Sequence, residues 1–157
     1  MLLQPAFAQA DSSEARRNFV YNLLQTGRAQ QALTQLNAVP TPTAWDQYMK
    51  GQASEMIGEP VKASQWYRAA LEQDRHNDQF RSKSIANLTA LCKCDEAIQV
   101  CLDGSKLATD AKKRQFYDDK AKEIERLKQA YAKGAENIAR HKIEHHEQLQ
   151  SAIERDK

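Results

Sequence analysis

Apolar residues recur along most of this chain at three- and four-residue steps, the spacing that lines up one face of an α-helix. The first such stretch covers 11–25, with Phe19, Val20, Leu23 and Leu24 directed inward. Asp11 and Glu14 stand three apart at its start, close to a capping box, and Thr26-Gly27 stops it. A second helix over 28–36 carries Ala32, Leu33 and Leu36, and Pro40 and Pro42 forbid its continuation. A third runs over 42–57 to Gly58. A fourth opens on Glu59-Pro60, where a missing N–H had no helical partner anyway, and carries Ala63, Trp66, Tyr67, Ala70 and Leu71. Asn77-Asp78 begins a fifth, with Ile85, Leu88 and Leu91, and Asp95-Glu96 a sixth, with Ala97, Ile98, Cys101 and Leu102. Asp110 begins a long seventh, with Phe116, Tyr117, Ala121, Ile124, Leu127 and Tyr131, which Gly134 is expected to break or kink. From 135 to 157 only a thin stripe remains (Ile138, His145, Leu149, and Ala152 or Ile153), which favours a projecting polar helix. No stretch alternates apolar and polar residues as a half-buried strand would.

The helices come in pairs, and the pairs repeat. Turn to turn, Gly27 to Gly58 is 31 residues and Gly58 to Cys92 is 34. The sharpest unit spans 44–77, with Gly51 inside its first helix, Gly58 at the turn, and Ala63, Tyr67 and Ala70 on its second. Small residues at 51, 63 and 70 let two helices cross closely, and Tyr67 fills the space to the next pair. A single pair leaves an apolar face bare, so only stacked neighbours complete the core.

This unit resembles the tetratricopeptide repeat, which has a Gly in its first helix and Ala-x-x-x-Phe in its second. The likeness covers roughly 13–108, with weaker copies around Gly27 and Cys92. It departs from the pattern where Gln47 and Lys50 replace Trp and Leu, Ser54 replaces Tyr, and Arg75 replaces Pro. The resemblance implies an all-α fold: a right-handed superhelix of stacked antiparallel helix pairs, an α-solenoid over 11–134 with long C-terminal capping helices. It also implies that a concave groove, lined by the first helix of each pair, binds a peptide or helix of another protein.

On that groove the resemblance places Trp45, Tyr48, Gln52 and Glu55, with Arg17 and Tyr21 on one side and Gln79 and Ser82 on the other. Aromatic side chains with a polar handle often anchor interfaces. Trp45 and Tyr48 equally suit packing between helices. The Lys, Arg and Asn set with which some family members grip a chaperone's C-terminal carboxylate does not occur here.

Composition narrows the function classes further. A net charge of +2, with 23 basic and 21 acidic residues interspersed, gives no basic stripe for nucleic acid. No apolar run approaches a membrane span. Cys92, Cys94 and Cys101 are an odd number, which does not make a disulfide framework; about 10 Å of helical rise separates the last two, and buried free thiols are expected. His141 and His145 share a helix face, but without a third ligand they are expected to be solvated, and no metal or cofactor is predicted. No nucleophile–base set or phosphate-cradling loop occurs, so the chain is not expected to be an enzyme; a thiol- or metal-dependent enzyme is the least favoured reading.

Residues 1–10 are uncharged and end in Ala8-Gln9-Ala10, the small-x-small pattern that signal peptidase reads. The leading expectation is therefore an exported, periplasmic or secreted bacterial scaffold. The alternative is a cytoplasmic chaperone or assembly factor of the same fold, such as those serving secretion systems.

Overall fold

The computed structural model describes residues 7–155. Within them lie seven helices and no strand: α1 (Phe7–Gln25), α2 (Ala29–Asn37), α3 (Ala44–Met56), α4 (Pro60–Gln73), α5 (Asp78–Ala90), α6 (Cys94–Leu107) and α7 (Ala111–Arg155). Each helix packs on the next in order, and α1 also packs on α3, as expected for stacked antiparallel pairs. No helix among the described residues is long and apolar enough to cross a membrane.

The three turns inside the pairs share one geometry. Gly27, Gly58 and Cys92 have φ of 75°, 80° and 57°, the left-handed region. At each, the following N–H reaches back five residues to close the preceding helix: Arg28 to Leu23 O (2.8 Å), Glu59 to Ser54 O (2.8 Å) and Lys93 to Leu88 O (2.9 Å). Cys92 carries a Cβ in a conformation that costs an L-residue about 1–2 kcal/mol. Cys92→Gly is accordingly expected to stabilise the chain by about 0.5–1 kcal/mol, net of glycine's added unfolded-state entropy. A raised urea midpoint checks this; a lowered one would mean that the turn carries no strain.

Thr43 caps α3. Its hydroxyl accepts the Asp46 N–H, and Asp46 accepts the Thr43 N–H in return (2.8 Å). Asn77 caps α5 by accepting from Phe80 N–H, and Asp110 accepts the Lys113 N–H at the start of α7.

Two apolar clusters form the core. One runs from Val20 through Tyr67 to Phe80 and joins α1–α4 to the start of α5. The other gathers Ile85, Leu88, Ala97, Cys101, Tyr117 and Ile124 from α5, α6 and α7. A Cβ on Gly51 would lie under 3 Å from three ring carbons of Tyr67, so this close crossing requires glycine. Gly104 does the same in α6, for Arg81 and the Tyr117 ring. Arg81 is itself buried and donates to Val100 O (2.9 Å) and Arg75 O (2.6 Å), tying α5 to α6 and to the end of α4. Among the residues departing from the repeat pattern, Gln47, Lys50 and Ser54 are all buried, and the Lys50 ammonium lies 4.7 Å from the centre of the Trp66 ring. Burial there pulls the Lys50 amine below its usual range, against the opposing pull of Asp46.

The structure corrects several expectations. Helix α7 continues through Gly134 without a break, because one glycine costs only about 1 kcal/mol inside a helix flanked by Ala, Lys and Glu. Asp11 lies inside α1 instead of capping it, since the helix already starts at Phe7. Of the segment read as a signal-like address, residues 1–6 lie outside the described residues. Phe19 is exposed, not inward, one step off the buried stripe of α1.

Candidate functional site

The first helices of the pairs, α1, α3, α5 and α7, share one face, and side chains bridge them in sequence. The Arg17 guanidinium lies 5.2 Å from the centre of the Trp45 ring. Trp45 meets Phe80 edge-on at 4.9 Å, and Tyr48 stacks on Phe80 at 4.8 Å. Gln79 donates to the Tyr48 hydroxyl at 3.2 Å. At the far end, the Tyr117 hydroxyl donates to Asp78 at 2.7 Å.

These contacts show what each expected groove residue does. Tyr48 is only 5 % exposed and belongs to the core, so the structure places it between helices and not on an open surface. Trp45 is half-buried beside it. Glu55 is a junction: its carboxylate accepts from Tyr67 Oη (2.9 Å) and Asn87 Nδ2 (3.0 Å) and pairs with Lys83 (2.9 Å), so it joins α3, α4 and α5. Burial, then the Glu55 charge, raises the Tyr67 phenol well above its usual range, so it remains a donor. Gln52 is half-buried, and Arg17 is partly so. Tyr21, Gln79 and Ser82 are exposed.

Of these residues only Ser82 lines the open groove that does exist. The groove lies between α5 and α7 and holds about 380 Å³. From α5 come Ser82, Ile85, Ala86, Thr89 and Ala90. From α7 come Phe116, Lys120, Glu123, Ile124, Leu127 and Tyr131. Phe116 is 55 % and Tyr131 49 % exposed, so large aromatic surface meets water directly. Lys120 and Glu123 pair at 3.0 Å on the groove edge and place one charged point on a mainly apolar wall. A larger cleft of about 560 Å³ opens between α4 and α6, but its lip is laced with charge, including the Arg68–Glu96 pair at 2.8 Å. The α5–α7 groove is the one lined by exposed aromatics and is the better candidate for an apolar guest.

The sequence names six apolar residues along the seventh helix without dividing them between faces. Two stripes were present. Tyr117, Ala121 and Ile124 face α6, whereas Phe116, Leu127 and Tyr131 sit to one side of that band and form the groove wall.

Neither a protein-family profile nor a curated protein matches this sequence. Two solved structures share its fold. Both are of SycD, a type III secretion chaperone of Yersinia enterocolitica. One, in complex with a peptide of the translocator YopD, is 15 % identical with a TM-score of 0.61, and the likeness covers 75 % of this chain and 95 % of that one. The other, described as a type III secretion translocator chaperone, is 14 % identical with a TM-score of 0.58, covering 81 % and 88 %. At this identity the likeness speaks for the fold: an all-helical stack of tetratricopeptide type.

Cys94 and Cys101 are buried, and burial pushes the Cys101 thiol up to about 11, which makes it unreactive at neutral pH. Cys92 is exposed at its turn and so departs from the expected buried trio. Among the described residues no three His, Cys, Asp or Glu side chains converge as metal ligands. His141 sits 3.5 Å from Glu144 on an exposed face.

Proposed function

We propose that this protein is a non-catalytic chaperone that holds an apolar segment of a partner protein in the groove between α5 and α7. The observation that carries this is the groove itself: Ile85, Ala86, Ala90, Phe116, Leu127 and Tyr131 form an apolar trough open to solvent. The SycD likeness supports it, because a protein of the same fold binds a peptide of the translocator it serves. It favours the secretion-chaperone alternative over the envelope scaffold, and with it a cytoplasmic location. Nothing found beyond residues 1–10 favours export. Trp45, Gln52, Arg17, Tyr21 and Gln79 remain proposed as a second, more polar contact area along the same face. Tyr48 and Glu55 have structural duties there.

The test uses Ala86→Arg, which fills the trough from an exposed position. Covering one large apolar side chain contributes about 1.5–3 kcal/mol, so loss of that burial weakens capture tenfold or more. Co-purification from native cells should recover a specific protein with the unaltered chain and lose it with Ala86→Arg, at unchanged helicity and thermal midpoint. Equal recovery by both chains would refute the groove. Native chain recovered from the envelope fraction with Asp11 as its first residue would refute the cytoplasmic chaperone reading and restore the exported one.

A further inference from the structure

Four helix ends meet at one corner of the stack: α4 and α6 finish there, and α5 and α7 begin. Opposed ends offset one another's dipoles, so the side chains set the sign of the potential. A pocket of about 200 Å³ lies in this corner, with Arg75, Arg81, Lys113 and Thr109 in its lining. At ~30 Å³ for each water in the liquid, that is room for a compact group and a few waters, not for a helix or a peptide segment. The pocket shares no residue with the α5–α7 groove.

Arg81 forms the inner wall. It is 5 % exposed and reaches the pocket across Gly104 of α6, where a Cβ would lie 2.6 Å from Arg81 Cδ. Val100 O and Arg75 O take one N–H each, at 2.9 and 2.6 Å, and the Tyr117 ring centre lies 5.8 Å from the guanidinium. A guanidinium has five N–H donors. The others find no acceptor, and Arg81 forms no ion pair, among the described residues. Carbonyls and a ring face ease its burial but bring no full opposing charge, and a buried cation is costly until one is supplied. The one carboxylate that lines the pocket, Asp78, is already engaged: it accepts from Tyr117 Oη at 2.7 Å and pairs with Lys113. Arg75 is exposed, and its side chain forms no ion pair among the described residues. In the adjoining α4–α6 cleft Glu96 is taken by Arg68 and Asp103 by Lys106, and Glu72 pairs with neither Arg75 nor Arg81. Three positive charges in the pocket therefore face one negative, and two arginines remain unmatched.

Charge and shape together select the ligand. A carboxylate brings one negative charge. A phosphomonoester brings about −1.5 to −2 at neutral pH, which matches the two unmatched arginines. Its oxygens accept paired N–H groups from a planar guanidinium, which fixes orientation as well as charge. We infer that this pocket binds a phosphate group, with Arg81 as the buried recognition arm, Arg75 closing on it from the exposed side, and Thr109 and Lys113 at its edge. The site does not depend on what the α5–α7 groove holds.

The experiment is calorimetric titration of the full chain with inorganic phosphate at about pH 7.5 and constant ionic strength, so that screening stays fixed. One saturating site per chain is expected. Arg75→Gln should weaken it about tenfold or more, because one charge-assisted contact is lost. Its thermal midpoint without phosphate should stay unchanged, because the Arg75 side chain ties no elements together in the free protein. Arg81→Lys keeps the charge but loses the fork and should bind more weakly still; if that chain does not fold, Arg75→Gln decides the matter. Acetate at the same ionic strength should bind at least about tenfold more weakly than phosphate. Methyl phosphate tells the source: tighter binding than phosphate identifies an ester, weaker binding the free ion, and either supports the site. No saturable uptake of phosphate overturns the inference, as does equal affinity of Arg75→Gln and the unaltered chain. Acetate bound as tightly as phosphate overturns the assignment to a phosphate group.

Discussion

Gly51→Ala should destabilise the chain by about 2 kcal/mol, although alanine favours a helix interior by close to 1 kcal/mol over glycine. The reason is the ring it meets. Tyr67 is fully buried, and its hydroxyl is held by Glu55 at 2.9 Å, so it cannot swing away from a methyl that would sit under 3 Å from its ring carbons. Forcing an extra carbon into a packed interior costs about 1–3 kcal/mol, and a ring anchored at both ends belongs at the upper end. Urea unfolding followed by circular dichroism checks this. The second arm is Gly51→Ala combined with Tyr67→Leu: the smaller side chain makes room, so the two changes together should cost less than their sum. Stabilisation by Gly51→Ala alone, or strict additivity, would mean that the ring has space to move and that the close crossing of α3 and α4 is not what fixes this pair.

That crossing was legible in the sequence, as was most of the architecture, and for physical reasons. A left-handed turn favours glycine, so Gly27 and Gly58 marked two pair boundaries, and spacing alone located the third at Cys92. Proline and capping residues fixed the starts of α4, α5 and α7 to within a residue or so. Features that depend on two helices at once were not legible. Phe80, one turn into α5 and fully buried, went unnoticed because it belongs to the stack of α3 and not to the apolar stripe of its own helix. Tyr48 sits where a first helix faces both its neighbour and the open side, and periodicity cannot tell the two apart. Phe116 and Tyr117 are adjacent in sequence, yet one lines the groove and the other fills the core. Of the residues expected on a concave face, Trp45 and Tyr48 of α3 pack their rings on Phe80 and Tyr67, whereas the groove walled by exposed Phe116 and Tyr131 lies between α5 and α7.

Replacing Arg16 with Met should cost about 2–3 kcal/mol at neutral pH, a penalty that shrinks as the pH is lowered. Asp46 is 2 % exposed, and Arg16 meets its carboxylate with two nitrogens, at 3.0 and 3.3 Å. Removing one partner of a buried pair costs about 3–5 kcal/mol because the other charge stays behind. Here Arg16 is roughly a quarter exposed and Thr43 keeps two hydrogen bonds to the carboxylate, which brings the figure down. Burial by itself would raise the Asp46 carboxyl. The Arg16 hydrogen bond, the Thr43 backbone and hydroxyl bonds and the Arg16 charge outweigh that effect and hold it below its ordinary value. A carboxyl with a lowered folded pKa contributes stability that is fully present above the unfolded value, about 3.9, and is lost as pH falls through the folded one. In Arg16→Met the desolvation remains while its main counterweight is gone, so protonation begins at higher pH. Other carboxylates also respond to acid, among them Asp78, whose burial is outweighed by Lys113 and Tyr117, so the quantity to compare is the difference between the two chains. Urea midpoints measured from pH 7 down to pH 3 should lie furthest apart near pH 7 and converge as Asp46 becomes protonated, and Asp46→Asn should remove that part of the pH dependence altogether. Parallel curves for Arg16→Met and the unaltered chain across this range would show that Arg16 does not set the ionisation of Asp46, and that α1 is held on α3 by Val20, Leu23 and Leu24 alone.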